Sequence, residues 1–296
     1  MKRISINLLI PFTLVLGILA SCSGCKTGQP EATEENKSDT LAEQLMEIML
    51  PSPSEVIEIV IMSGVKFSSD YMASIGLEKK AVMVKHKAVS LGVYFTDFAY
   101  ANFYNQRNFA SEYLKAIQEL SGDLGIGSIL NDAYFKRFDL NLNNPDSLDA
   151  IFTDFSQNAY NSIIESGNSE LLSMIGIGAA LEIMYIGVSS IENTANTHQA
   201  IETVIEQSAV FENYYQNFMA YNSNKAEFNA LISDISSIYD FFKLKVSKQT
   251  DEKVVTDSQN HFTIAGGDKS RLSQYDLAEL KKMVTNTRSK LIDLNY

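Results

Sequence analysis

Tryptophan is missing from this 296-residue chain, and proline, histidine and cysteine are scarce, with five, three and two copies. The lack of indoles, together with so few prolines, counts against a carbohydrate-binding β-sandwich, which stacks sugars on exposed indole rings. None of the three histidines, His86, His198 and His261, follows a glutamate by three residues, so the Glu-x-x-His pairs of a di-iron bundle are absent. His198 and Glu202 share a helical face at i, i+4, but two ligands do not make a metal site, and a solvated pair accounts for them. There is no His-Glu-x-x-His and no Gly-x-Ser-x-Gly. GDLGIGS (122–128) follows a helical pattern rather than a strand, and AGGDKS (265–270) lacks the Gly-Lys-Ser/Thr ending of a phosphate loop. Positive charge is short as well: 24 basic against 36 acidic side chains, a net −12. That balance argues against nucleic acid or an anionic lipid surface as a partner. No metal or cofactor is expected, no catalytic residue is assigned, and an unrecognised enzyme is the least favoured function.

The two cysteines sit together in LASCSGC (19–25), directly after a greasy leader. Lys2 and Arg3 open the chain, an apolar run from Leu8 to Ala20 follows, and small residues close it at Ala20 and Ser21. This is the layout of a secretory signal peptide over residues 1–21, and the run is short for a retained membrane-spanning helix. A Cys-x-x-Cys redox or zinc site needs a folded context or a second ligand pair, and neither is present. Leu19, Ala20 and Ser21 before Cys22 resemble the lipobox of bacterial lipoproteins. That resemblance implies a diacylglycerol on the Cys22 thiol, which becomes the new N-terminus after cleavage. Cys25 fits worse, because Cys22 rather than a branched aliphatic stands three residues before it, and it is expected to be a free thiol or a second acylation site. Two or three acyl chains hold a protein firmly to a bilayer, at about 0.8 kcal/mol per buried methylene. Loss of the leader removes two basic residues and no acidic one, leaving 22 against 36 and a net −14.

Residues 22–40 carry no large apolar side chain and are expected to be a disordered tether. Residues 41–296 read as one all-α domain, a multi-helix antiparallel bundle. Leu41, Leu45, Ile48 and Met49 share one helical face before Pro51. Ser52, Pro53 and Glu55 form a capping box for a helix carrying Val56, Ile57 and Val60. Further helices are expected over 77–104, 108–122 with Tyr113, Leu114, Ile117 and Leu120 inward, 128–141, and from an Asn144 cap with Pro145 as first residue toward Gly167. Stripes at Ile201, Val204, Ile205, Phe211, Tyr215 and Phe218 and then at Phe228, Leu231, Ile232, Ile235, Ile238, Tyr239 and Phe242 predict two antiparallel helices, with Asn224 and Glu227 as a capping pattern. A last helix over 273–295 shows Leu277, Leu280, Val284, Leu291 and Leu294 at nearly heptad spacing. Residues 249–271 are polar and β-tinged, without a convincing strand series, and are expected to form a long mobile loop.

LLSMIGIGAALEIMYIGV (171–188) is long enough to span a bilayer, but it contains Glu182, and a carboxylate in a lone span costs about 3 kcal/mol. A helix apolar all round also suits the centre of a large bundle, and residues 171–188 are assigned to the core. A buried Glu182 must be hydrogen-bonded, ion-paired or protonated. Tyr185 lies on its face, and His86, Ser90, Tyr94 and Asp97 trace a polar stripe along the 77–104 segment. Two such stripes face to face would line a ligand cavity with His86, Tyr94, Asp97, Glu182 and Tyr185. The competing expectation is that these groups satisfy one another or meet solvent at a helix edge.

KAVSLGVYFTDFAYANFYNQ (87–106), LGIG (124–127), NNPDSL (143–148) and EIMYIG (182–187) resemble a group of uncharacterised helical lipoproteins from Bacteroidota, over roughly residues 50–220. The resemblance implies an exported, lipidated, mostly helical protein in the cell envelope, and it brings no activity and no functional residue. Ser23 after Cys22 is compatible with outer-membrane sorting, on the periplasmic face or the cell surface. The expected function is therefore a lipid-anchored protein-interaction or accessory module, with a small-molecule-binding bundle near Glu182 and Asp97 as the alternative. Globomycin, or Cys22→Ala, is expected to leave a full-length form without lipid; unchanged mobility and membrane fractionation would refute the anchor.

Overall fold

The computed structural model describes residues 64–128, 132–194, 197–246, 253–256, 262–265 and 272–296. The leader, the Cys22 and Cys25 positions, the tether, the helical patterns at 41–49 and 52–63, and His261 lie outside the described residues. The rest is an all-helical bundle joined by one β-hairpin. In order come α1 (Leu77–Lys80), α2 (Val84–Phe103), α3 (Arg107–Asp123), α4 (Asp132–Asn141), α5 (Pro145–Glu165), α6 (Ser169–Ser190), α7 (Thr197–Asn222), α8 (Asn229–Lys245), β1 (Lys253–Thr256), β2 (Phe262–Ala265) and α9 (Gln274–Ile292).

Helix α6 is the axis of the body. It packs most extensively on α2 and α7, and on α9 besides. That surround explains its composition, since a helix covered on every side has no polar face to keep. It is the one described helix long and apolar enough to cross a membrane, and 94% of its apolar window is buried inside the body. The contact between α6 and α2 depends on two glycines. A Cβ on Gly92 would lie 1.9 Å from the carbonyl oxygen of Ile175, and one on Gly178 would lie 2.3 Å from that of Val89. Both obstacles are backbone, so no rotamer change can relieve them. The two helices therefore lie close enough for Thr96 Oγ1 to reach the Ala179 carbonyl at 3.4 Å as well as its own helix's Gly92 carbonyl at 3.3 Å.

Around this axis the neighbours alternate in direction. Tyr215 stacks on Tyr239 at 4.4 Å, and Phe218 meets Phe228 edge-on at 5.3 Å, so α7 and α8 are antiparallel, as their stripes predict. Helices α4 and α5 attach through a cluster of rings in which Phe95 and Phe98 of α2 meet Phe138, Phe152 and Phe155. Two caps follow the sequence signals. Asn144 Oδ1 accepts from the Ser147 N–H at 3.2 Å ahead of Pro145, and Ser273 with Asp276 forms a full capping box.

Three local features differ from the sequence-based expectations. The 77–104 segment is two helices, because Ala81 and Met83 take extended backbone. Asn224 caps nothing: a 3-10 turn over Ala226–Phe228 precedes α8, and no side chain caps either element. Within 249–271, β1 and β2 pair antiparallel, with Val254 opposite Ile264 and Thr256 opposite Phe262. The β-branched residues at 254–256 and 263–264 favour that pairing.

Gly92→Ala should cost about 3 kcal/mol or more, at or beyond the upper end of ordinary overpacking, because backbone must move. Gly122→Ala, where a Cβ meets nothing within 4 Å, should be neutral or stabilise by up to about 1 kcal/mol. Denaturant midpoints of the two variants would check the contrast, and similar values for both would contradict the close α2–α6 contact.

Candidate functional site

Helix α2 carries Asp97, α6 carries Glu182 and α9 carries Arg288 into the same point of the interior. Asp97 and Glu182 are wholly buried, and Arg288 is buried as well. Arg288 grips Glu182 with a two-pronged contact: Nε donates to Oε2 at 2.7 Å and Nη2 donates to Oε1 at 2.6 Å. Its guanidinium also lies 3.9 Å over the Tyr185 ring, and Nη2 reaches the Tyr71 carbonyl at 3.4 Å. Asp97 is held by the backbone ahead of α1, where the Ala73 N–H donates to Oδ2 at 2.9 Å.

Three ionisable groups in one dry space must balance their charge. Burial pushes the Asp97 carboxyl well above the ordinary aspartate value of 3.8, and the neighbouring Glu182 charge pushes further; Arg288 and the Ala73 N–H pull the other way without prevailing. The balance favours the protonated form of Asp97. Its Oδ1 is buried without a hydrogen-bond partner. Burial opposes the charge on Arg288, but Glu182 and then Asp97 outweigh it and hold the guanidinium positive. One cation, one anion and one neutral acid make a net-neutral cluster.

Tyr94, one turn before Asp97, belongs to an adjoining network. Its hydroxyl oxygen accepts from the N–H groups of Gly76 (3.1 Å) and Leu77 (2.9 Å), and its proton is shared between Glu78 Oε2 (2.9 Å) and the Ser74 carbonyl (3.1 Å). Burial, the largest cause, raises its pKa. Tyr113, edge-on to Tyr94 at 5.3 Å, donates to the Ala73 carbonyl. The segment 71–78 is therefore pinned by Asp97, Tyr94, Tyr113 and Arg288 together.

His86 lies elsewhere. Eleven residues before Asp97 on one helix, it is about 16 Å away along the axis. It is buried edge-on against Tyr296 at 5.0 Å, and its Nε2 has no partner. Burial and then Lys85 lower its pKa, so it is neutral at pH 7. The structure thus gathers Asp97, Glu182 and Tyr185, places Tyr94 next to them and separates His86.

Arg288 was not singled out by sequence. Its signal was a basic residue four after Val284 and three before Leu291, beside a buried stripe, together with a central carboxylate in need of a counter-ion. The cluster lines neither of the two concavities described. The larger, about 370 Å³, lies where the end of α6 meets the starts of α7 and α9, with a floor of Val188, Ile191, Ile201, Leu277 and Ala278. Lys281 and Glu192 pair at 2.9 Å on its lining. The smaller, about 160 Å³, lies between α7 and α8. Among the described residues no group of three or more His, Cys, Asp or Glu could hold a metal ion, and His198 and Glu202 form an exposed pair at 3.6 Å.

Comparisons with protein-family models, with curated proteins and with solved structures found no match.

The pH dependence of stability tests the proton on Asp97. Its folded-state pKa is raised, so the unfolded chain holds fewer protons once pH exceeds about 4. Stability should then fall with rising pH, by up to about 1.4 kcal/mol per unit, until Asp97 ionises in the folded state. Asp97→Asn keeps a donor for Glu182 and should abolish that slope in denaturation curves taken across pH 4–8. An unchanged slope would show that Asp97 is already ionised.

Proposed function

We propose that this chain is a lipid-anchored protein of the cell envelope whose helical body serves as a protein-interaction or accessory module. The observation that carries the proposal is the run Leu19-Ala20-Ser21-Cys22 directly after a basic and apolar leader. An acylated Cys22 would hold the body near the bilayer through a tether whose root-mean-square span is about 24 Å. Ser23 supports placement at the outer membrane, on the periplasmic face or the cell surface.

The interior supports an interaction role for the body more than a chemical one. Glu182 is gripped by Arg288, and Asp97 Oδ2 is held by the Ala73 N–H, contacts that tie the fold together. The groove at the junction of α6, α7 and α9 is the more accessible surface, with an apolar floor and an ion pair beside it. A partner side chain seated there would bury apolar area at the centre and leave charge at the edge, the usual anatomy of an interface.

A second function, small-molecule binding, is favoured by the size of the same groove, since about 370 Å³ falls in the range of small-ligand sites. It does not draw on Asp97 and Glu182. Cross-linking in intact envelopes followed by mass spectrometry should join an envelope protein to the body, and Ala278→Trp, which fills the groove, should remove that product. Recovery of the body alone, with a lipophilic fluorophore displaced by the same substitution, would favour the small-molecule function instead.

A further inference from the structure

Seven large apolar side chains are prominently exposed among the described residues, and four of them lie within ten positions: Ile75 at 41%, Val82 at 82%, Met83 at 46% and Val84 at 61%. The segment KKAVMVKHK (79–87) is also the most basic of the chain, with four lysines in nine residues. The fold sorts them. Lys85 and His86 turn inward, where Lys85 Nζ donates to the carbonyls of Glu227 (2.9 Å) and Tyr296 (2.7 Å) beneath the rings of Phe228 and Tyr296. Lys79 and Lys80 turn outward beside Val82, Met83 and Val84. The result is an exposed apolar tip at the start of α2, fastened from inside by a lysine and flanked in sequence by two more.

The residue choice is costly for a soluble surface. Met83 holds the N-cap position of a 20-residue helix, where Ser, Thr, Asp or Asn would satisfy the first N–H groups, and it offers no such bond. Several carboxylates around this end are already engaged: Glu78 with the Tyr94 hydroxyl, Asp123 with Lys87, and Glu170 with Lys225. Lys79 has only a distant contact of 4.0 Å with Glu78. The chain as a whole is acidic, but charges more than about 8 Å apart are largely screened at physiological ionic strength, so the charges nearest the tip, Lys79 and Lys80 among them, count most there.

We propose that Val82, Met83 and Val84 insert into the interfacial region of a lipid bilayer, with Lys79 and Lys80 at the level of the phosphates. An apolar projection with lysines beside it suits a surface that has no shape of its own and is apolar beneath and anionic on top. The inference does not rest on the Cys22 anchor; an anchored body would only meet the bilayer more often.

The absence of tryptophan supplies a clean probe. Met83→Trp in the full chain carries the sole indole, and Tyr275→Trp, at a position 77% exposed near the opposite end of α9, is the control. With vesicles of zwitterionic and anionic phospholipid, Met83→Trp should shift its emission to the blue and lose most of its intensity to lipids brominated on the acyl chains. Tyr275→Trp should do neither. Val82→Asp with Val84→Asp should abolish both effects of Met83→Trp, and Lys79→Glu with Lys80→Glu should weaken them most in anionic vesicles. Far-UV circular dichroism checks that each variant is folded. Emission that stays at the water value, or a blue shift without quenching as a protein cover would give, overturns the proposal. Because quenching is read at residue 83, failure of the tip is distinguishable from failure of the anchor, which is read by lipid on Cys22.

Discussion

A charged guanidinium gripping a buried carboxylate, with a second carboxyl group nearby, is the interaction on which the rest of the body depends. Arg288 ties α9 to Glu182 on α6 across 106 positions of sequence, and to the Tyr71 carbonyl across 217. Asp97 joins the same point from α2 and holds the Ala73 N–H. Three helices and the segment before α1 thus share one small volume. Such a cluster adds little net stability over a well-packed apolar substitute, since desolvation consumes most of the attraction, but removing one partner costs about 3–5 kcal/mol. Its main effect is on specificity. Any register of α9 that misplaces Arg288 leaves Glu182 charged and alone in the core.

The cluster is possible only because α2 and α6 nearly touch. Gly92 and Gly178 bring backbone against backbone, and Asp97 and Glu182 follow each of them by five and four residues. A wider separation would leave room for water between the carboxyls, and Asp97 would lose the burial that holds its proton. Small residues and buried charge are in this sense one device. The first sets the distance, and the second makes the distance matter.

With its polar interior closed, the body presents its chemistry at its surface and ends. The groove beside Lys281 and Glu192 lies at one junction of helices, and the Val82–Val84 tip marks the start of α2, where Lys85 fastens the turn before α8. An acylated tether, an interfacial tip and a partner groove would fit one protein that works beside a membrane. They are separate claims, each carried by different residues.

Periodicity by itself determined the helical architecture, because apolar spacing reports burial wherever a helix has one face inside. It marked α7 and α8 as an antiparallel pair, α6 as a core helix and Asn144 as a cap. It also picked out Glu182 and Asp97 as polar residues in apolar surroundings that needed an answer. Tertiary structure decided what that answer was. Arg288 comes from more than a hundred residues away, and no local pattern ranks it above Lys281 or Lys290 on the same helix. His86 and Tyr94, on the same stripe as Asp97, were drawn to different neighbours because a 20-residue helix about 30 Å long meets several elements along its length. The break at Ala81–Met83 was equally hidden, as no proline or glycine marks it. Local propensity is written in adjacent residues, whereas the partner of a buried charge is settled only when distant segments close around it.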